Sequence, residues 1–344
     1  MSWRHRIYMN KNLSKILKYL LSAGLALILL YFSFREVEWS DFLEGLKGCR
    51  WEYIALSMAA GAFAFWLRAL RWRRLLLPID GSISRTTAFN GVNIGNISNF
   101  VFPRIGEFVR CGVISRRSEP VDPEKPEHKK ASYDKVLGTV VLERSWELLV
   151  MLILLAVVVI GGFDRFGGFF IEQIWMPMSQ KLDFSIWWIV ALLGAGACGA
   201  GYVLWRFREA NGLCARVWSV VRGILQGFAS CMRMEHKWLF FAYTAMIWLS
   251  YWFMAASTMW AAPFLEGLTV IDALFLSLVG GLGFAVPVPG GIGAFHFIIS
   301  LALAGLYGIP MEMGIIYATL SHTSQAITQI VFGAGSYFYE ALKK

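Results

Sequence analysis

The sequence predicts an all-α, polytopic integral membrane protein with about six full transmembrane helices and two re-entrant helical hairpins of opposite orientation. Three observations lead to this prediction. Of the 344 residues, 57% are hydrophobic and only 16% are charged, whereas about a quarter of an average soluble domain is charged. Several apolar stretches approach the roughly 20 residues that a helix needs to cross a bilayer. The chain also repeats one order of segments: two spans, a broken apolar segment and another span.

The charge and the cysteines exclude several classes of function. The net charge is +9. In a membrane chain an excess of Lys and Arg usually reflects the orientation of the spans, so we expect no nucleic-acid partner. The cysteines lie far apart and form no pair at zinc-ligand spacing; they are Cys49, Cys111, Cys198, Cys214 and Cys231. We therefore predict no disulfide framework, no metal site and no cofactor. Stretches outside the apolar segments are too short for a soluble catalytic domain.

The first predicted repeat covers residues 1 to 161 and begins in the cytoplasm, because basic residues precede its first span. Its segments are a span at 19 to 34, a span at 51 to 67, a hairpin at 87 to 114 and a span at 136 to 161. An acidic outer loop is expected at 35 to 44, and a cytoplasmic loop at 116 to 135. We expect the arginines after the second span to reach the inner headgroups with their long stems; they are Arg68, Arg71, Arg73 and Arg74.

The second predicted repeat covers residues 162 to 344 and has the opposite orientation, as in inverted-topology repeats. Its segments are spans at 186 to 205, 238 to 256 and 314 to 339, an inner-leaflet amphipathic helix at 211 to 232, and a hairpin at 273 to 306. The two repeats make one membrane domain, 1 to 344. Both termini are expected in the cytoplasm, with the chain in the cell inner (plasma) membrane.

Each hairpin is predicted from an apolar segment that is broken in its middle. Pro103 interrupts the first, and PVPGGIG at 287 to 293 interrupts the second. Irregular backbone at membrane depth is tolerated only where protein or a cavity covers it. The alternative is that each broken segment is two complete crossings, which gives ten helices with the same orientation of the ends.

The first break carries ionisable groups that need a compensating environment. Charge at the bilayer centre costs about 2.5–3.5 kcal/mol on insertion scales, and the sequence Pro103-Arg104-Ile105-Gly106-Glu107 is followed by Arg110. Glu107 can pair with one arginine, which leaves one guanidinium suited to phosphate oxygens. The alternative is that an arginine extends to the cytoplasmic headgroups.

Polar side chains precede and follow this break. Asparagines recur every third residue and form a stripe that either binds substrate or makes interhelical hydrogen bonds; they are Asn90, Asn93, Asn96 and Asn99. In the third span, Glu143, Arg144 and Glu147 lie near the inner end. Glu143 and Glu147 either clamp the arginines of the first hairpin or, if burial raises a carboxyl pKa, carry a coupling proton.

The second break is rich in glycine and proline, which free backbone amides to face a ligand. A half-helix that begins near Gly291 would direct its positive N-terminal end toward an anion, with Gly290 and Gly293 beside it. His296 follows and is either a packing residue or part of the site. The last span has a polar face that is expected to line the same interior; it comprises Ser321, His322, Gln325, Thr328 and Gln329.

Four motifs, in order, resemble a known family, the lysylphosphatidylglycerol synthase transmembrane-region proteins, also called flippase-like domain proteins. The motifs are RALRWRRLL at 68 to 76, the run from Asn99 to Arg110 with its Pro-Arg-x-Gly-Glu core, GTVVLERSWE at 138 to 147 and PVPGGIGAFH at 287 to 296. The resemblance covers nearly the whole chain. It implies an integral inner-membrane protein with re-entrant helices, related to the flippase half of aminoacyl-phosphatidylglycerol proteins and to translocators of lipid-linked sugars.

Two positions depart from the family's pattern. His296 stands where an acidic residue is expected, and Glu147 stands where an aspartate is expected. The first departure weakens the carry-over of a carboxylate role to the second hairpin, and the second keeps the charge. The soluble aminoacyl-transferase domain of long family members is not present in this sequence, so we do not expect synthesis of a lysyl-lipid.

These features lead us to expect a flippase- or scramblase-like translocator, not an enzyme, whose partner is an anionic phospholipid or a polyprenyl-phosphate-linked lipid. The headgroup would follow a polar groove between the repeats. One alternative is a scaffold that recruits a lipid- or glycan-synthesis enzyme through the helix at 211 to 232. Another is an intramembrane enzyme acting on lipid phosphates through Glu143, Glu147, His296 or His322, although HExxH, nucleophile-elbow and P-loop motifs are missing from the sequence.

Overall fold

The computed structural model describes residues 39 to 118, 131 to 168 and 235 to 343, together with isolated residues elsewhere. Within these ranges the regular elements are all helical. Four helices are long and apolar enough to cross a membrane: Trp51–Leu76, Tyr133–Gly161, Lys237–Ala261 and Pro289–Tyr307. An all-helical membrane protein is therefore confirmed. The predicted spans at 19 to 34 and 186 to 205 and the amphipathic helix at 211 to 232 lie outside the described ranges.

The α-helices of the described ranges follow the predicted order of segments. They are α1 (Trp39–Lys47), α2 (Trp51–Leu76), α3 (Arg85–Val101), α4 (Gly106–Arg117), α5 (Tyr133–Gly161), α6 (Lys237–Ala261), α7 (Val270–Gly283), α8 (Ala294–Tyr307) and α9 (Met311–Leu342). The predicted spans at 51 to 67, 136 to 161, 238 to 256 and 314 to 339 correspond to α2, α5, α6 and α9. With 32 residues α9 is long enough to cross a bilayer, but its polar residues lower its mean hydropathy.

The prediction of a loop at 35 to 44 is wrong from Trp39 onward, because α1 begins at that residue. Its apolar residues recur at helical spacing, so that Phe42 and Leu46 lie on one face and pack against α9. Gly45 lies directly against the Ile316 side chain. Glu44, one of the acidic residues that suggested a loop, is exposed on this short amphipathic helix.

The expected position of two arginines on α2 is also wrong. Arg68 and Arg71 are buried instead of reaching toward headgroups, because α2 continues as a helix to Leu76 and carries them into the interior. The Arg71 guanidinium lies 5.9 Å from the centre of the Phe240 ring on α6, a distance typical of a cation–π contact. Arg73 differs, since its Nε donates a hydrogen bond to the main-chain oxygen of Ile83.

Each broken segment forms a pair of short helices joined by a non-helical turn. The first pair is α3 and α4, with 17 and 12 residues, and the second is α7 and α8, with 14 residues each. At 1.5 Å per residue these helices are about 18–26 Å long, against a hydrocarbon core of about 30 Å. The apolar stretch Pro289–Tyr307 reaches 19 residues only by including a turn in which Gly290 departs from helical geometry.

The ends of the two pairs lie at opposite ends of the neighbouring long helices. At the C-terminal end of α9, Glu340 accepts hydrogen bonds from Asn90 near the start of α3 and from Arg117 at the end of α4. In the second pair, the Tyr307 hydroxyl at the end of α8 donates to Asp272 at the start of α7. The loop that leads into α7 is held at the start of α2, where Arg50 pairs with Glu266.

The chain divides into two compact units. The first comprises Met1–Val140 and Leu239–Lys344, and the second comprises Val141–Trp238. Both helix pairs, together with α1, α2 and α9, belong to the first unit. Most of α5 and the π-helical turn at Phe163–Gly167 belong to the second.

Candidate functional site

The turn of the first helix pair is closed by a side-chain cap. The Asn99 side-chain oxygen accepts a hydrogen bond from the Gly106 N–H at 2.8 Å, which satisfies one of the free amides at the start of α4. This cap is the described role of Asn99. Between Asn99 and Gly106, Pro103 follows the end of α3, and Arg104 adopts a left-handed backbone with φ of 60°. For a residue other than glycine this conformation stores about 1–3 kcal/mol of strain.

The turn of the second pair depends on three glycines with positive φ: Gly290 (59°), Gly291 (77°) and Gly293 (82°). Such angles cost glycine little because it has no Cβ. The helix after the turn begins at Ala294, close to the predicted start at Gly291. The Gly291 and Ile292 amides donate within the turn, to Val288 and Pro289, so they serve the turn instead of facing outward.

The two turns meet each other. The Arg104 guanidinium donates from Nη2 to the main-chain oxygen of Ala285 at 2.8 Å. Beside this bond, Gly290 packs against the Phe100 ring so closely that a Cβ would lie 2.7 Å from a ring carbon. We call the meeting of Phe100 and Arg104 with Ala285 and Gly290 the turn junction. It joins the two broken segments at the positions that the sequence singled out.

A buried histidine of α9 binds the second turn at the turn junction. Nε2 of His322 lies 2.8 Å from the Gly290 oxygen; a carbonyl only accepts, so this nitrogen carries the proton. The His322 ring stacks on Phe284 at 5.9 Å between centroids, and the buried His296 ring lies 5.1 Å away. Described contacts of His296 are therefore those of a packing residue in an aromatic cluster.

One side of the turn junction is exposed at the protein surface. Arg104 is exposed, and apolar side chains beside it are exposed as well: Val101, Ile105 and Phe284. A cation is therefore surrounded by apolar surface of the kind that faces lipid in a membrane protein. Within the described residues, its hydrogen bond goes to a neutral carbonyl.

Arg110 has a different environment from Arg104. It is only 2% exposed, and its guanidinium lies 4.6 Å from the centre of the Trp72 ring. Trp72 is fixed in turn by a hydrogen bond from its indole N–H to the Thr139 hydroxyl at 3.0 Å. The alternative in which Arg110 extends to the headgroups is wrong. Glu107, one turn before it, is half-buried on the first turn of α4.

The acidic residues of α5 lie in the second unit. Glu143 is buried, and Arg144 donates to Glu147 at 2.7 Å within the same helix. This is an ion pair at the i, i+3 spacing of helix neighbours. The described contact of Glu147 is thus with an arginine of its own helix, and its two predicted roles, a clamp on the arginines of the first broken segment or a carrier of a coupling proton, stay predictions.

Gln325 on α9 contacts α2. Its Nε2 lies 3.4 Å from both the main-chain oxygen and the hydroxyl of Ser57. The side chain packs over Gly61, where a Cβ would overlap with its oxygen. The described hydrogen bonds of Gln325 therefore connect two long helices and do not include the turn junction.

A groove of 470 Å³ lies between α2 and α6. Its walls are apolar except for Ser250, whose hydroxyl donates to the Met246 oxygen of its own helix. The lining residues are Leu56, Ala59, Ala60, Phe63, Met246, Leu249, Ser250 and Phe253. The sequence predicted a polar groove for a headgroup, whereas this groove suits hydrocarbon.

Sequence reasoning missed several residues that organise the site. Trp72 contacts Arg110, and Glu340 binds Asn90 of α3 and Arg117 at the end of α4. An acidic residue near the end of an apolar helix, in a chain with many arginines, was the available signal for Glu340. The acceptor at Ala285 is a main-chain atom and therefore leaves no trace in the sequence.

The fold and the turn junction define a class: helical membrane proteins in which two broken helix pairs meet at their turns. The chain belongs to the lysylphosphatidylglycerol synthase TM region family, whose model matches residues 16 to 333. The resemblance drawn from the four motifs is thus confirmed, and it connects the protein with lipid biology. No curated protein matches the chain.

Proposed function

We propose that this protein is a lipid translocator of the cell inner (plasma) membrane that moves an anionic lipid between leaflets. Its substrate is a phospholipid or a polyprenyl-phosphate-linked lipid, and the protein carries it without chemical change. The observation that carries the proposal is Arg104: an exposed, strained cation at the point where two broken helix pairs meet.

In this proposal the two helix pairs are re-entrant hairpins that enter from opposite faces of the membrane. Support comes from the helix lengths and from the contacts at their ends. Both ends of the first pair lie beside Glu340, and the second pair starts beside the beginning of α2. Since the two turns then touch, each pair spans only part of the bilayer. With basic residues at the inner ends, both chain termini lie in the cytoplasm.

Arg104 is suited to a phosphate group. A guanidinium presents five donors in a fixed fork, and its hydrogen bonds to an anion are roughly twice as strong as those to a neutral acceptor. At present one of its nitrogens is bound to the Ala285 carbonyl. A phosphate that reaches the turn junction would compete for this donor and offset the cost of a charge at membrane depth.

Phosphate binding would also loosen the link between the two hairpins. When the Arg104 guanidinium turns to the phosphate, the first turn is released from the second, while the acyl chains stay against the exposed Ile105 and Phe284. Rocking of one repeat against the other is the general mechanism of inverted-repeat transporters. The contact between Arg104 and Ala285 would act as the closed state of such a movement.

Translocation is measured with purified protein in vesicles that contain fluorescent phosphatidylglycerol and a membrane-impermeant quencher. Wild-type protein should make the inner-leaflet label accessible to the quencher. For Arg104→Ala we expect a rate about 10- to 150-fold lower, because a charge-assisted hydrogen bond contributes about 1.5–3 kcal/mol. Arg104→Lys should retain part of the rate, since it keeps the charge but loses the fork.

Arg116→Ala is the matched control, because Arg116 is an exposed arginine of the same hairpin that lies away from the turns. It should translocate like wild type. If Arg104→Ala also translocates like wild type, Arg104 does not bind the phosphate. Chromatography of the recovered lipid tests the alternative of an enzyme: an altered lipid contradicts a carrier.

A further inference from the structure

The apolar groove between α2 and α6 lies on the exposed surface of the two helices. Each helix lines it with four residues at i, i+3, i+4 and i+7 spacing, which is one face of a helix. At the middle of these faces, Ala60 on α2 and Ser250 on α6 have small side chains. At the ends of the α2 face, Leu56 and Phe63 are bulky and exposed. The groove is therefore a narrow apolar slot in a surface of the kind that faces lipid.

Two contacts hold α2 and α6 together beside the groove. The Ser57 hydroxyl, next to one end, donates to the main-chain oxygen of Met254 at 3.2 Å. Beyond the other end, the Arg71 guanidinium lies 5.9 Å from the centre of the Phe240 ring. Because the helices are fixed at both places, the groove is already formed before a ligand binds, as is usual for ligand sites.

Aromatic side chains connect the groove with a charged pair at one end. Phe253 lines the groove, and its ring lies 6.2 Å from that of Trp260. The Trp260 ring lies 6.2 Å from the Tyr53 ring, and the Arg50 guanidinium lies 5.6 Å from the centre of the Tyr53 ring. Trp and Tyr are enriched at the level of the lipid headgroups. We call Arg50, Tyr53, Trp260 and Glu266 the rim of the groove.

The length and width of the groove suit one acyl chain. Along α2 it begins at Leu56, about 9 Å from Arg50, and ends at Phe63, about 20 Å from Arg50, at 1.5 Å per residue. The hydrocarbon layer of one leaflet is about 15 Å thick, so a lipid with its headgroup at the rim can place a chain along the groove. A helix is about 10–12 Å wide with its side chains, and over the same length it would need roughly twice the 470 Å³ of the groove.

The charged pair of the rim can be separated by a headgroup. Arg50 Nη2 lies 2.8 Å from Glu266 Oε1, and the two side chains are 42% and 71% exposed. Such exposed ion pairs contribute little to stability. The Arg50 Nε has no hydrogen-bond partner among the described residues, so the guanidinium has a further donor for an anion.

The two charges of the pair indicate the class of headgroup. A phosphate that binds the Arg50 guanidinium leaves the Glu266 carboxylate without its partner. A lipid whose headgroup also carries a primary ammonium supplies a new donor to this carboxylate. An anionic lipid without an amine does not, and a choline headgroup has no N–H to donate.

We propose that the groove and its rim bind one molecule of a zwitterionic phospholipid with a primary ammonium headgroup, such as phosphatidylethanolamine. Its phosphate accepts hydrogen bonds from Arg50, its ammonium donates to Glu266, and one acyl chain lies between α2 and α6. Hydrocarbon is as apolar as the groove, so the chain adds packing contacts while the headgroup gives the selectivity. This resident lipid is distinct from the transported one, and its binding does not depend on the proposed lipid transport.

The test uses the full-length protein, purified in detergent and freed of lipid. Native mass spectrometry measures the binding of phosphatidylethanolamine, phosphatidylglycerol and phosphatidylcholine with the same acyl chains. Ala60→Leu fills the middle of the groove, and only binding that this variant loses is assigned to the groove. Its matched control is Ala55→Leu, since Ala55 is an exposed alanine of α2 that does not line the groove.

We expect wild type and Ala55→Leu to bind one phosphatidylethanolamine that Ala60→Leu does not retain. At the groove its affinity should be about twofold to fivefold higher than that of the other two lipids, the range of an exposed ion pair. Glu266→Gln should abolish this preference, because the ammonium loses its charged acceptor while the phosphate keeps Arg50. If Ala60→Leu does not fold, Glu266→Gln decides, since its side chain is exposed.

Three results would each overturn the proposal. The first is full phosphatidylethanolamine binding by folded Ala60→Leu, and the second is an unchanged lipid preference in Glu266→Gln. The third is a wild-type dimer that Ala60→Leu abolishes, without bound phosphatidylethanolamine, because a second copy of the chain would then occupy the groove.

Discussion

Substitution of Gly106 by alanine tests how closely the two helices of the first pair, α3 and α4, meet. The new Cβ would overlap with the main-chain oxygen of Gly95 and lie 2.7 Å from its carbonyl carbon and 2.8 Å from Asn99 Oδ1. Two of these atoms belong to the backbone of α3, so no change of rotamer relieves the overlap. Overpacking costs about 1–3 kcal/mol, and loss of the Asn99 cap adds about 1 kcal/mol. We expect Gly106→Ala to be less stable by about 2–4 kcal/mol.

The matched control lies on the same helix. Gly112→Ala meets no atom within 4 Å of its Cβ, and alanine is favoured over glycine inside a helix by about 0.5–1 kcal/mol. It should therefore be slightly more stable than wild type. Both variants are compared with wild type by reversible unfolding in mixed micelles. If Gly106→Ala is as stable as wild type, α3 and α4 do not meet at Gly95 and the first turn is not closed as described.

Two further variants test the contacts that position the two helix pairs. Glu340→Gln removes the charge that Arg117 and Asn90 share, and it should lower the free energy of unfolding by about 1–2 kcal/mol for a partly exposed pair. A double-mutant cycle with Arg117→Gln checks this, and purely additive effects would contradict the contact. His322→Phe keeps an aromatic ring but removes the hydrogen bond to Gly290. It should cost about 1 kcal/mol in the same unfolding assay, and an unchanged stability would show that this bond is dispensable.

The positions of the breaks could be predicted from the sequence because proline and glycine act locally. Pro103 ends α3, and the glycines after Pro289 form the second turn. Long apolar runs likewise predicted α2, α5 and α6, since burial in lipid requires many consecutive apolar residues. The acidic residues of α1 concealed a helix whose buried face is formed by Phe42 and Leu46.

The partners of the charged residues could not be predicted in the same way. Arg104 and Arg110 are chemically identical and lie six positions apart, yet one is exposed and the other is buried beneath Trp72. Which arginine is exposed depends on the packing of α2 against the first helix pair, and this involves residues distant in the sequence. The contact of Gln325 with Ser57 joins residues 268 positions apart and has no local signal.

The depth of the two turns in a bilayer tests the central claim most directly. Spin labels at Ile105 and Phe284, both exposed, report depth through their relative accessibility to oxygen and to a water-soluble nickel chelate. Labels at Lys47 and Arg116 provide references for the two surfaces. We predict that both turns lie near the middle of the bilayer. A label at Ile105 or Phe284 that reads at the depth of either reference would contradict two hairpins that meet inside the membrane.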